Sequence, residues 1–274
     1  METCKNCGNT FKGNFCNHCG QKVFSPSDKS IKKILQEIFY FFTNLDNGFF
    51  KTIFTIITAP GQLTLDYCAG KQKTYFKPIS LYFLIVVIYL VFPVFSGLNQ
   101  ELKYYKGNAF FGSIIESQIN EKLVTDNVTL EELSIPFKAK SEVTSKVALF
   151  LFIIVSILFI YLLFYKSKLV AFDHLILSTE INIFYLLVLF ILLPLVMLSI
   201  LTLFSISETY ISDEIIALVL IFLFGMYCTL VFRRLFGQKW YLSVIKGMTF
   251  SLLHAIFFIT IYRFIVFELS FLQL

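Results

Sequence analysis

The sequence predicts an all-α integral membrane helix bundle, about five transmembrane helices with a small N-terminal zinc ribbon, on three observations. The 274 residues are 57% hydrophobic and only 15% charged, against roughly 25% charge in an ordinary soluble domain. Many of the apolar residues fall in runs of about 20, the length a helix needs to cross hydrocarbon. The chain also opens with Cys4-x2-Cys7-x8-Cys16-x2-Cys19, two cysteine pairs each spaced for a tight metal-binding turn. These features divide the chain into a ribbon at 1–24, a linker with amphipathic helices at 25–77, and a transmembrane domain at 78–274.

Each cysteine pair is followed by a glycine, Gly8 or Gly20, which permits the backbone path of a knuckle. Four thiolates from Cys4, Cys7, Cys16 and Cys19 complete a tetrahedral Zn2+ shell and leave no position for a catalytic water, so the metal is structural. A short hairpin through 10–15 is expected to join the knuckles, in a core too small to fold without its ion. His18 is read as a surface residue rather than a ligand. The N-terminus lacks a basic start, apolar core and cleavage site, so no removable signal peptide is expected. The cysteines then stay in a reducing cytosol, which favours metal-bound thiolates over disulfides. A closed site of this kind serves as a staple or a protein-docking surface. With Lys5, Lys12 and Lys22 but no arginine, the ribbon is not expected to bind nucleic acid.

Ser25-Pro26-Ser27-Asp28 reads as a linker and helix start. Ile31, Ile34, Leu35, Ile38, Phe42, Leu45, Phe49 and Ile53 then recur at helical spacing opposite a polar face. Asn44, Asp46 and Asn47 are too costly for hydrocarbon, so this helix lies along the cytoplasmic interface or packs on the membrane domain, with a break at Gly48. Pro60-Gly61 stops it, and a short helix over 63–69 ends at Gly70. Lys71, Lys73 and Lys77 lead into Pro78, which opens a first transmembrane helix over 79–95.

Four further spans are predicted at 147–165, 183–204, 215–232 and 248–267. Lys166, Lys168, Arg233, Arg234, Lys239 and Lys246 fall in the connections that would then face the cytoplasm, whereas 205–213 carries neither Lys nor Arg. The positive-inside rule therefore places the N-terminus in the cytoplasm and Leu274 outside, in a multi-pass protein of the bacterial cytoplasmic membrane. The external loop, 97–146, balances six lysines against seven acidic residues. Phe110, Phe111, Ile114, Ile115, Ile119 and Leu123 predict one helix there with an apolar face. Asn127-Val128-Thr129 is a chance glycosylation sequon in a bacterial protein.

The remaining ionisable groups near the membrane are Asp173, His174 and Glu180, expected on an inner loop, His254 in the last span, and Arg263, expected to snorkel and to pair with Glu268. Cys68 and Cys228 are isolated and read as small apolar residues. No HExxH helix, serine elbow or phosphate-cradling glycine loop is present, so no catalytic residue is assigned.

The cysteine-rich opening, Ala59-Pro60-Gly61, Tyr67 through Lys71, and Tyr75-Phe76-Lys77-Pro78 together resemble bacterial zinc-ribbon multispan membrane proteins of the domain of unknown function 3667 family. The likeness is most specific over 1–90, with echoes at Phe172-Asp173-His174-Leu175 and Phe236-Gly237-Gln238-Lys239-Trp240. Relatives often carry further histidines in the first of these echoes, where this chain has Ser178, Thr179, Glu180 and Asn182. The resemblance implies a membrane protein with a zinc ribbon and no stated activity. The leading expectation is a non-enzymatic scaffold or regulator that presents the cytosolic ribbon to a protein partner. The alternatives are a transporter or channel subunit with a polar path through Asp173, His174, Glu180 and His254, and a membrane-bound enzyme acting through the same cluster.

Overall fold

The structure, a computed structural model, describes residues 2–4, 7–19, 47–91, 98, 100–108, 110–203 and 213–274. They fall into two compact units, Met1–Asn47 and Gly48–Leu274. The expected linker at 25–28, most of the amphipathic helix, Gly20, and the end of the first expected span lie outside the described residues.

In the first unit β1 (Glu2–Thr3) pairs antiparallel with β2 (Thr10–Phe11), Glu2 opposite Phe11 and Thr3 opposite Thr10. The turn between them is the first knuckle. The Cys4 N–H donates to the Asn9 carbonyl at 2.8 Å and the Gly8 N–H to the Cys4 carbonyl at 2.9 Å. Gly8 takes a left-handed φ of 74°, which costs other residues about 1 kcal/mol or more. The β1–β2 hairpin closes around Cys4 and Cys7, where the knuckle's backbone groups finish their bonding on a strand pair, and 10–15 then leads on to the second cysteine pair. Cys4, Phe11 and Cys16 form its small core.

The second unit begins with α1 (Asn47–Thr58) and α2 (Gln62–Cys68). The expected break at Gly48 adjoins residues outside the description; Gly48 itself sits in the first turn of α1, where its carbonyl accepts from the Thr52 hydroxyl at 2.6 Å and the Phe76 N–H at 3.4 Å. The returning chain at 74–76 packs against Gly48 at van der Waals distance. As expected, α2 follows Pro60-Gly61 and ends before Gly70, and Pro78 starts α3 (Pro78–Val91).

Beyond it come α4 (Leu102–Tyr105), α5 (Gly112–Asp126), α6 (Leu130–Ala148) and α7 (Phe150–Leu163). Next, α8 (Ala171–Phe184) continues through a π-helical stretch, Tyr185–Leu192, into α9 (Leu193–Leu203). Then α10 (Asp213–Phe236) precedes α11 (Trp240–Phe257), which passes through π-helical Phe258–Tyr262 into α12 (Arg263–Phe271). Among the described residues, Ala171–Ile200, Ile215–Phe236 and Trp240–Phe271 are long and apolar enough to cross a membrane. The pair α6 and α7, bent by 41°, makes a fourth if it is one span. Leu218, Phe222 and Ile261 on these helices are more than half exposed, the pattern of a surface solvated by lipid.

Small residues let α10 and α11 approach closely. A Cβ added at Gly247 would lie 2.6 Å from the Thr229 nitrogen and 2.8 Å from the Gly225 carbonyl oxygen. The last helical run has 32 residues, about 48 Å at 1.5 Å per residue, against roughly 30 Å of hydrocarbon. The run is thus longer than a crossing requires, and in its final turns Phe267 packs with Leu102, Tyr105, Phe111, Ile115, Ile119, Leu133 and Phe137. The loop at 97–146 is thus a small helical layer built on the end of the last helix. Its first long helix buries Ile115 and Ile119, while Phe110 and Ile114, expected on the same face, are exposed.

Candidate metal centre and buried polar sites

The four N-terminal cysteines converge. Their sulfurs all lie within 4.8 Å of one another, with Cys4 Sγ 3.5 Å from Cys19 Sγ and Cys7 Sγ 3.7 Å from Cys16 Sγ. A disulfide needs about 2.05 Å. A tetrahedral ion with bonds of about 2.3 Å to sulfur holds its ligands about 3.8 Å apart, so the spacing fits four thiolates around one metal ion. The Asn9 side-chain amide donates to the Asn17 side-chain oxygen Oδ1 at 3.0 Å and ties the two knuckles together. Cys4 and Cys16 are buried and Cys7 and Cys19 exposed, while His18 is exposed and outside the cluster. Among the described residues no other set of three or more His, Cys, Asp or Glu side chains gathers in this way.

Asp173, His174 and Glu180 are not on a loop. They belong to α8, whose apolar register continues without interruption into the first candidate span, so the helix starts earlier than expected. Asp173 accepts from the Val170 N–H at 3.1 Å and closes the helix start. The His174 Nδ1 lies 3.0 Å from the Val170 carbonyl oxygen. The Asp173 carboxylate and one ring nitrogen of His174 thus bond to the end of their own helix, while the buried His174 Nε2 has no partner among the described residues.

Glu180 has a different task. It is fully buried, and its carboxylate accepts from the Gly61 N–H at 2.7 Å, the Thr64 N–H at 2.8 Å and the Thr64 hydroxyl. Those donors are the first turn of α2, whose backbone N–H groups have no partners within the helix. The two acceptor oxygens of Glu180 satisfy them at the positive end of the helix dipole. Gly61, at φ 82°, turns its N–H toward the acid, and a Cβ there would stand 2.8 Å from Leu235 Cδ1. Arg234 completes the clamp from α10, its guanidinium donating to the Pro60 carbonyl at 2.7 Å. At the other end of α2, Asp66 accepts from Lys71 at 2.8 Å and from the Tyr75 hydroxyl at 2.7 Å, and these two bonds hold its carboxyl down at about 2. Burial first, then the Asp173 carboxylate, push the Cys68 thiol up to about 12, which fits its expected role as an inert small residue.

His254 is fully buried among Phe152, Tyr185, Phe224 and Phe250. Its Nε2 lies 3.2 Å from the Ser156 hydroxyl, which also accepts from the Asn182 amide at 2.9 Å. Glu180 is not part of this chain of bonds, so the expected polar set does not come together as one path. Arg263 and Glu268 are not a pair either: Arg263 donates to the Gln100 side chain at 2.8 Å, and Glu268 accepts from Gln118 at 3.1 Å. The folded loop brings better-placed neutral partners to both. Ser156, Asn182, Thr64 and Arg234 carried no sequence signal, since their partners lie 26 to 174 residues away.

Residues 46–90 match the family model described as a protein of unknown function (DUF3667), so the resemblance read from the sequence holds over that stretch. The matched segment spans α1, α2 and most of α3, the part of the chain that Glu180 and Arg234 clamp. No curated protein and no solved structure is significantly similar to the chain.

Proposed function

We propose that this chain, which carries the DUF3667 family segment at 46–90, is a non-enzymatic membrane scaffold or regulator that presents a zinc-bound ribbon to a protein partner in the cytosol. The carrying observation is the sulfur spacing of Cys4, Cys7, Cys16 and Cys19, which suits a closed tetrahedral shell with Zn2+ as its structural ion. Such a shell has no open position for chemistry and builds a rigid surface instead. The fully buried acid of the apolar body, Glu180, supports the same reading, because its acceptor capacity is spent on holding α2.

Five spans complete the proposal: the helix starting at Pro78, the run through α7, and the three long apolar helices, in the bacterial cytoplasmic membrane. The basic residues at 166–168 and 233–246 put the N-terminus inside and Leu274 outside. A reporter fused after Leu274 should be active outside the cytoplasm, and a cytosolic signal there would break this topology. The transport reading draws less support, since Asp173, His174 and Glu180 each bond to a helix start and Glu180 stands outside the bonded chain of His254, Ser156 and Asn182. Affinity capture from crosslinked cells tests the docking role. It predicts a partner that is lost when the four cysteines are changed to serine, and recovery of the same proteins without the cysteines would end the proposal.

A further inference from the structure

A cavity of about 660 Å³ opens between α8, α10 and the last helical run, within the range of sites that hold small ligands. Tyr185, Phe190, Phe224 and Phe258 give it aromatic walls, with Ala217 and Ala255 as its small lining residues. The helices that carry Tyr185, Phe190 and Phe258 turn π-helical there, at Tyr185–Leu192 and at Phe258–Tyr262, and Phe224 comes from α10. Such widened turns leave the regular bonding ladder and are frequent at functional sites. His254 also lines the cavity, and its Nδ1 has no partner among the described residues.

Charge singles out one end. Arg263, Gln100 and Glu101 line it, and Glu101 is already paired with Lys103 at 2.7 Å. Arg263 faces no carboxylate within ion-pair distance among the described residues; it spends one donor on Gln100 and lies 5.4 Å from the Phe258 ring centroid. A guanidinium has five N–H donors, and a partly buried one gains most from an anion that accepts two of them. Because it folds back over Phe258, its charge stands roughly one helical turn, about 5 Å, from the level of His254. The charged end therefore adjoins the aromatic walls.

We propose that this cavity binds a lipid-like anion, with its acidic group on Arg263 and its hydrocarbon chain along Tyr185, Phe190, Phe224 and Phe258. A membrane phospholipid and a free fatty acid share this chemistry. Native mass spectrometry of the full chain in neutral detergent, with dioleoylphosphatidylglycerol or palmitate added, separates the sources. One equivalent of either anion should be retained, and the neutral dioleoylglycerol and methyl palmitate should not. Retention of phosphatidylglycerol alone identifies a bilayer lipid, and retention of palmitate alone a free acid. Arg263→Gln should weaken binding at least about tenfold, the loss of one charge-assisted contact. Ala255→Trp should abolish it by filling the cavity. Diazirine-labelled palmitate and phosphatidylglycerol on the unmodified chain provide a measure that does not depend on variant folding: labelling should concentrate on 216–224 and 254–263. Absence of retention for both anions, equal binding of the neutral analogues, or labelling spread evenly over the lipid-facing helices would each overturn the proposal.

Discussion

The buried carboxylate of Glu180 accepts the backbone N–H of Gly61 at 2.7 Å, across 119 residues of chain. One acid in a membrane helix thereby fixes the start of the short α2. Removing the acceptor leaves the Gly61 and Thr64 donors without partners in an apolar setting. Glu180→Ala should therefore cost about 3–5 kcal/mol. Thermal unfolding in detergent should show the drop, and limited proteolysis should open first within 59–77. Glu180→Gln, which keeps the shape but offers an amide in place of a carboxylate, should lose less.

Gly61 should tolerate no side chain. Its φ of 82° strains any L-residue, and an added Cβ would press on Leu235 and on the Val231 carbonyl oxygen at 3.2 Å. Gly61→Ala should cost about 2 kcal/mol or more and should be non-additive with Glu180→Ala, because both act on one junction. A double-mutant cycle on melting temperature measures the coupling, and simple additivity would contradict a shared junction.

Asp66 gives a pH dependence with a definite sign. Lys71 and Tyr75 hold its carboxyl near 2, below the ordinary carboxylate value of about 3.9. The stabilisation is complete above the ordinary value and is lost as pH falls through about 2. Lys71 is 64% exposed, so solvent screening holds the effect to about 1 kcal/mol. Melting of the detergent-solubilised protein should show a loss between pH 4 and 2 that is reduced in Asp66→Asn.

The metal reading predicts one zinc ion per chain by elemental analysis and a four-sulfur shell by X-ray absorption. Cys16→Ser, at a buried ligand, should reduce the content to near zero. Cd2+ exchanged into the site should give the ultraviolet absorption of thiolate-to-metal charge transfer, at an intensity expected for four sulfurs. A chain purified with no metal and with disulfides between these cysteines would contradict this assignment.

The sequence carried the local part of this structure and missed most of what depends on distant contacts. Cys4, Cys7, Cys16 and Cys19 were legible because metal geometry constrains their spacing, and Pro60-Gly61, Gly70 and Pro78 because backbone conformation does. The cap of α6 was also readable but passed over: Thr129 and Glu132 have capping-box spacing and bond reciprocally. Glu180 was singled out as an ionisable group, yet its role depends on a helix start more than a hundred residues away, which no periodicity reveals. Hydrophobic runs likewise located the long helices but not the bend at Leu149, nor the extension of the last helix into the packed layer around Phe267.

The docking claim is most directly measured at Phe15, an apolar side chain of the ribbon that is 60% exposed. A photoreactive phenylalanine analogue placed at this position in the full chain, irradiated in living cells, should yield one discrete crosslinked protein of constant mass. The adduct should vanish when Cys4 and Cys16 are both changed to serine and the chain remains in the membrane. A crosslinking pattern identical with and without the cysteines, or no protein adduct at any irradiation dose, would contradict the account.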